Sequence, residues 1–427
     1  MKQVSMVVWN TFQNDARVLK EAETLMEHGY SVTVFALHTP GVTSRQERVG
    51  RSGVRVHRVL RSPGMLLRMW ARGWRSRRRE GGARPAVNAS PAPRGPARGF
   101  RFFLQMVSRT FTHGGLVVAL ARSRPDVVHA HDVNTLATAW IAARLVGAKL
   151  VYDAHEISTD REGYESIRKM VGWLERRLIR RAHGTITTTE MRAKFFARAH
   201  GVDRPLVLQN RPRLMQAVAS TRLREELVLS ENWPIILYQG GLQTGRGLED
   251  LVKAAKNVTG AYFVFVGGGR IEGALQRLAE ELAVSDRVHF IPTVSLDDLP
   301  DYTASADIGV QPIRNTCLNH FSTDSNKLFE YAMAGLPIVA SDFPEIRRVV
   351  TDYDLGILFD PEEPDGLVRS LQELVSSPEL RRKYARNARA AAGALSWESQ
   401  EEALVTLYGH VTGQSAGAMG SQARPVD

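Results

Sequence analysis

Short apolar runs alternate with amphipathic helical stretches along nearly the whole chain, and this alternation limits the fold more than any single motif does. Val4–Trp9 has strand character. Asn14-Asp15 caps a helix in which Val18, Leu19, Ala22, Leu25 and Met26 keep helical spacing, and Gly29 stops it. Ser31–Ala36 is the next strand. A β-α-β start demands a parallel pair joined by a right-handed crossover. Strands at Val54–Val59, Asp126–His131, Lys149–Asp153 and Gly184–Thr188 follow, with helices at Leu136–Leu145, Tyr164–Arg181 and Glu190–Ala199 between the last of them. The alternation restarts with strands at Pro234–Gln239, Ala261–Val266, Arg287–Ile291, Ile308–Gln311, Ile338–Ala340 and Gly356–Phe359. At 427 residues the chain is too long for one ordinary domain. The pattern predicts an α/β protein of two Rossmann-like, doubly wound domains facing each other across a cleft. The expected divisions are 1–213, a linker at 214–232, a second domain at 233–395, a helix at 396–411 packing back on the first domain, and a disordered tail at 412–427.

Charge breaks this regularity in one place. The net charge is +11, and residues 61–101 hold eleven arginines against one glutamate. Most of 61–99 is Gly/Pro/Ala/Arg-rich and too poor in apolar residues to pack, so a mobile insertion is expected there. Where its arginines mix with Leu, Met, Trp and Phe, the segment suits the interface of an anionic membrane. A solvated loop is the alternative, and nothing marks the nucleic-acid folds. The N-terminus turns polar too soon for a signal peptide, and no apolar run is long enough to span a bilayer. Cys317 is the sole cysteine, which excludes an internal disulfide and fits a reducing cytosol. A cytoplasmic protein, touching the inner face of the membrane through 61–104, is the expectation.

Ligands of open α/β sheets bind beyond the carboxyl ends of the strands. Two neighbouring strands of the first half end in His131-Asp132 and in Asp153, His155 and Glu156. In the second half, Gly240-Gly-Leu-Gln-Thr-Gly245-Arg246-Gly247 lies between strand and helix like a P-loop, but has Arg and Gly where the phosphate Lys and the magnesium Ser/Thr belong. Its backbone amides and Arg246 still fit a diphosphate, with a tight turn bearing a surface Arg as the alternative. Gly267-Gly268-Gly269 also opens a helix; without an acidic residue after the next strand, it fits close backbone approach better than NAD binding. Asp352-Tyr353-Asp354 has the form of a metal–diphosphate motif but the setting of a polar turn. No other spacing has a metal pattern, so no metal is expected. Asn326–Ser341 joins a short helix, a Gly335 stop and an apolar strand, with Asn326, Lys327 and Glu330 on one side of the helix. That side is either a solvated face or the wall of a site.

Together these segments resemble the retaining GT-B glycosyltransferases of the group 1 or family 4 type. The resemblance rests on Tyr-Gln-Gly-Gly-Leu through Arg-Gly-Leu-Glu-Asp-Leu-Val, Val-Gly-Gly-Gly, Ser305–Val310, Lys327–Ser341, and the N-terminal Asp15-Ala-Arg-Val and Tyr-Asp-Ala-His-Glu. It implies a donor domain in the C-terminal half and an acceptor domain in the N-terminal half. Glu330 matches the second glutamate of a Glu-x7-Glu motif that holds donor ribose hydroxyls, a charge-assisted contact. Arg246 and Lys327 match cations on the diphosphate, and His131 a histidine on the sugar-facing loop; these four are the expected catalytic residues. Gly240, Gly241, Gly267, Gly268 and Ser322 join the expected donor-binding set. Asn14, Asp15, Arg17, His155 and Glu156 are expected on the acceptor side.

Departures from the pattern are specific. Ser322 stands where the first glutamate of the motif belongs, and Gly241 where many members carry Arg. The resemblance implies transfer of a sugar from a UDP or GDP type donor, without a tightly bound cofactor, to a glycan or lipid-linked acceptor in cell-envelope or surface glycan assembly. An epimerase or phosphorylase of the same fold, or a non-catalytic scaffold, are the alternatives.

Overall fold

A computed structural model describes residues 1–61, 98–161, 163–215 and 218–414, with side chains of the helix Arg98–Ser123 from Met106 onward. Nearly all of the expected insertion and the tail from 415 lie outside the described residues. The helix Arg98–Ser123 starts just inside the stretch assigned to that insertion.

The first sheet comprises β1 (Gln3–Val7), β2 (Ser31–His38), β3 (Gln46–Val49), β4 (Val54–Leu60), β5 (Val127–His131), β6 (Lys149–Ala154), β7 (Gly184–Thr187) and β8 (Leu206–Val207), in the order β3-β4-β2-β1-β5-β6-β7-β8. From β4 to β6 the pairing is parallel. β3 adds an antiparallel edge that the sequence reading did not anticipate. The second sheet comprises β9 (Ile235–Gln239), β10 (Tyr262–Val266), β11 (Val288–Ile291), β12 (Ile308–Gln311), β13 (Ile338–Ser341) and β14 (Gly356–Phe359), in the order β11-β10-β9-β12-β13-β14 and parallel throughout. Both are doubly wound Rossmann-like sheets. Strand order reverses between β1 and β5 in one, and between β9 and β12 in the other, and a reversal is where ligands bind.

Strand alternation builds a core on each face of the second sheet. Ile235 and Leu237 of β9, with Tyr262, Val264 and Val266 of β10, enter one cluster. Ile236 and Tyr238, with Phe263 and Phe265, enter the other. In the first sheet, Asp15 caps the helix Ala16–Glu27 by accepting from the Val18 amide, and Val18, Ala22 and Leu25 are buried.

The described residues of Met1–His155, Met170–Thr185 and the stretch from Val405 form one unit; those of Glu156–Lys169 and Ile186–Leu404 form the other. The helix Glu190–His200, placed by sequence in the first domain, therefore groups with the second unit. The long basic helix is shorter than expected, Arg168–Ile179. A helix at Pro378–Ala391, capped by Ser377, was not anticipated.

Candidate donor and acceptor sites

In the second unit, β9 and β12 pair over only Ile308↔Ile236 and Gly309↔Leu237. Beyond that point they part, and the hydroxyl of Tyr331 fills the gap. It donates to the Leu237 and Val310 carbonyls at 3.0 and 3.3 Å and accepts from the Gln239 amide at 3.2 Å. Gly309 makes room for the ring: a Cβ there would lie 2.4 Å from Tyr331 carbons. The helix Asn326–Ala334 is thus pinned at the reversal point by its buried Tyr331, Leu328 and Ala332.

On the other side of that helix Asn326 is exposed, while Lys327 and Glu330 are half-buried and engaged by neighbouring side chains. Glu330 accepts at 2.6 Å from the Gln239 side chain, whose oxygen accepts from Thr303 at 2.8 Å. Lys327 sits 5.1 Å above the Tyr238 ring and donates to Ser325. Burial first, then Arg246, pushes the Lys327 ammonium down to about 7, while Glu330 opposes the shift. Burial also raises the Tyr238 hydroxyl to about 12 against the pull of Arg246. Buried positive charge held ready in this way favours an anion.

The glycine turns close around the same point. A Cβ on Gly240 would come 3.6 Å from Lys327 Nζ. Gly267 has φ of +142°, and a Cβ there would strike the Gly240 carbonyl at 2.2 Å. Gly268 follows directly, and Gly241 is exposed beside Gly240. The structure therefore brings together Gly240, Gly241, Arg246, Gly267, Gly268, Lys327 and Glu330.

Ser322 is not part of this group. It is fully buried, its hydroxyl accepting from Arg192 Nε at 3.2 Å and its carbonyl from Thr189. Arg246 lines a polar cavity of about 590 Å³ in the second unit, with His320, Asn319, Arg192, Asp160 and Glu156 among its walls. Glu156, expected among acceptor residues, is placed here and pairs with Arg161 at 2.9 Å. His320 was missed by sequence. Burial and then Arg246 push its imidazole down to about 4, and Thr316 holds Nδ1 at 2.7 Å. It lies in no motif, so only the fold could reveal it.

In the first unit a second cluster gathers at the β1/β5 reversal. Arg17 grips Asp153 through Nε at 2.8 Å and a terminal nitrogen at 2.9 Å. His155 Nε2 lies 2.8 Å from the same carboxylate, and His131 Nδ1 lies 3.3 Å from His155 Nε2. Burial opposes ionisation of Asp153, but Arg17 and the histidines hold it well below the carboxylate range. Burial works against His155 as well, yet Asp153 and Asp132 raise it to about 9. Burial lowers His131, despite its bond to Asp153.

Behind His131 lies His129, ring centroids 4.2 Å apart and planes tilted by 31°, and Tyr408 holds His129 Nδ1 at 2.9 Å. Glu21, His129, His131 and Asp153 converge with ligand atoms within 4.8 Å. Here a guanidinium occupies both Asp153 oxygens, so the carboxylate already has its cation. Of the other expected acceptor residues, Asp15 caps its helix and binds Asn10 at 2.7 Å, and Asn14 is exposed beside it. Glu21, His129 and Tyr408 are members that sequence did not single out.

Comparison with known proteins agrees with this architecture. Residues 15–211 match the glycosyl transferase 4-like domain, and residues 219–391 match glycosyl transferases group 1. The chain is 26% identical over 353 residues to a D-inositol 3-phosphate glycosyltransferase of Xylanimonas cellulosilytica, covering 77% of this chain and 83% of that one. It is 26% identical over 327 residues to the enzyme of the same name from Streptomyces scabiei, covering 70% and 71%. Among solved structures, sucrose-phosphate synthase from Thermosynechococcus elongatus superposes with a TM-score of 0.73 at 17% identity, covering 97% of this chain and 100% of that one. Anabaena HepE in complex with UDP-glucose gives 0.70 at 15% identity, covering 96% and 99%. The chain belongs to the GT-B glycosyltransferases of the group 1 and 4-like type, enzymes that draw on a nucleotide-sugar donor.

Proposed function

We propose that the enzyme moves a hexosyl group from a UDP- or GDP-sugar to a glycan or lipid-linked acceptor, with retention of anomeric configuration, in the assembly of a cell-envelope or surface glycan. The observation that carries the donor half is the convergence of Lys327, Arg246 and Glu330 around the glycine turns at the β9/β12 reversal. Glu330, oriented by Gln239, accepts the two ribose hydroxyls. Arg246, Lys327 and the amides after β9 hold the diphosphate. As the bond from the anomeric carbon to the phosphate oxygen breaks, negative charge grows on that oxygen, and Arg246 and Lys327 stabilise it. Such stabilisation is the largest catalytic contribution available to this wall.

The acceptor hydroxyl attacks from the face the diphosphate leaves, and its proton passes to the departing phosphate oxygen. His131, kept neutral by burial and fixed by Asp153, His155 and His129, orients a sugar or acceptor hydroxyl. UDP in the HepE complexes supports the uridine reading. The name of the similar bacterial enzymes, D-inositol 3-phosphate glycosyltransferase, supports glycosyl transfer to a hydroxyl-bearing acceptor.

A thermal-shift series with UDP, GDP, TDP and ADP tests the donor half; UDP or GDP is expected to stabilise most. Turnover assays with the corresponding sugar nucleotides test the chemistry. Nucleoside diphosphate should appear only when an acceptor is present; interconversion of nucleotide-sugars without net release would point to an epimerase instead, and phosphate-dependent cleavage of a glycan to a phosphorylase.

A further inference from the structure

In the first unit, helices Arg98–Ser123, Val133–Val146 and Arg168–Ile179 connect β4 to β5, β5 to β6 and β6 to β7. All three crossovers step the same way along the sheet, so their right-handed sense puts them side by side on one face. His113 of the first meets Thr138 of the second at 2.7 Å, and Arg181, just past the third, stacks on Trp140 of the second at 5.0 Å. Their inner residues are ordinary core: Leu116 and Leu120, Leu136 and Ala139, Val171 and Leu178 are all buried.

Their outer residues are not ordinary surface. Val107, Phe111 and Val118 form an exposed stripe on the first helix at helical spacing. Ile141 and Leu145 continue it on the second, Leu145 at 66% exposure. On the third, Met170 and Trp173 stand 60% and 61% exposed. Scattered apolar residues need no explanation, but rows on three adjacent helices do.

Charge on the same helices has one sign. Arg109, Arg122, Arg144, Arg176 and Arg177 are exposed, as are Arg180 and Arg181 just after them. The sole carboxylate among the three helices is Glu175, which is buried and accepts the Tyr152 hydroxyl at 2.5 Å. Arg177 lies 5.6 Å over the Trp173 ring, leaving an indole and a guanidinium together at the surface. An outer surface made of aliphatic side chains, a phenyl ring, one indole and exposed arginines suits the boundary between anionic headgroups and acyl chains. Nucleic acid would use the arginines but leave Ile141, Leu145, Val118 and Met170 unrewarded, and it would want more stacking rings than Phe111 and Trp173 supply.

We infer that this three-helix face is a docking surface for an anionic lipid bilayer. The surface is composed of described, folded residues and does not depend on the basic insertion or on the donor reading. It would set the first unit against the membrane, where a lipid-linked acceptor resides.

The test is flotation of the full chain with vesicles of phosphatidylcholine containing phosphatidylglycerol, against vesicles of phosphatidylcholine alone. The expected result is at least about tenfold stronger partitioning to the anionic vesicles, weakening as salt rises. The triple variant Arg176→Glu, Arg177→Glu, Arg180→Glu should lose that preference. The variant Ile141→Ser, Leu145→Ser, Trp173→Ser should retain some binding at low salt and lose it near physiological salt. All six residues are exposed or at a helix end, and unchanged melting and UDP binding would show that both variants are folded. Equal partitioning to the two vesicle types overturns the inference. So does wild-type binding by both variants, which would assign the contact elsewhere in the chain, or tight binding of a duplex or single-stranded oligonucleotide without binding of vesicles.

Discussion

Lys327, Glu21 and His155 carry charge states that the fold has moved far from normal, and each leads to a measurable sign. Lys327 titrates at about 7 in the free protein because burial and Arg246 disfavour its charge. A bound diphosphate reverses that preference and raises its pKa. Between about pH 7 and the bound value, nucleotide binding must therefore take up a proton, and affinity must fall as pH rises through that interval. Calorimetry of UDP binding at about pH 8 in buffers of different ionisation enthalpy should register the uptake. Lys327→Met should abolish it and weaken binding roughly 10- to 100-fold, the scale of losing a charged hydrogen bond. Glu21 is the second case. Burial and then Asp153 push its carboxyl up from 4.5 to about 8, so the native state holds a proton that the unfolded chain releases. Stability from Glu21 is thus full below about 4.5 and is lost as pH rises toward about 8. His155, raised to about 9, loses its contribution through a higher window, from 6.5 to about 9. Denaturant unfolding of Glu21→Gln against wild type should show the difference growing in favour of the variant from about pH 5 to 8, reaching on the order of a few kcal/mol. A flat difference would mean that Glu21 is ionised in the fold.

At the scale of elements, Tyr331 shows how a helix, two strands and the Glu330 carboxylate are tied together. The sequence offered Asn326, Lys327 and Glu330 as one side of a helix, and Leu328, Tyr331 and Ala332 opposite them are buried. It did not offer the parting of β9 from β12, because strand separation is decided by pairing partners far apart in the chain. The hydroxyl that bridges the gap also holds the Gln239 backbone, and the Gln239 side chain holds Glu330. Tyr331→Phe removes three hydrogen bonds at once without changing volume, and strands buried polar backbone groups. A loss of roughly 1–3 kcal/mol in chemical unfolding is expected. The same variant should raise the KM for the sugar nucleotide, since Gln239 no longer fixes the carboxylate; a pure stability loss with KM unchanged would break that link. Other elements were readable to the residue, such as Ile308–Gln311, where a short apolar run is bounded by Asp307 and Pro312. Pro378–Ala391 was not, because arginine and asparagine spread over its surface dilute the helical period. Leu318–Phe321 is a single turn with no period at all, which is why His320 went unseen.

At the scale of the molecule, the Lys327–Glu330 cluster and the Arg17–Asp153–histidine cluster belong to different units, each at the reversal point of its own sheet. The sequence announced both sheets through repeated strand–helix alternation, and announced the ends of their strands through polar and glycine residues. What it could not announce is the support behind each site, because Tyr408 reaches His129 across 279 positions and Asp153 reaches Arg17 across 136. A nucleotide that binds only the second unit must favour that unit's closed fluctuations over its open ones, by about 2.7 kcal/mol at 100 times its dissociation constant. Amide exchange should therefore slow around Gly240–Leu242, Gly267–Gly269 and the helix Asn326–Ala334 when UDP or GDP is added. Strands β1, β2 and β5 should exchange at the same rate with and without it, unless the two units open as one. Adding nucleotide to Glu330→Ala should leave less protection at all three segments, whereas Glu21→Gln should leave the full response. Protection centred on β5 and β6 instead would move the nucleotide to the first unit, and with it the roles given to Lys327, Arg246 and Glu330.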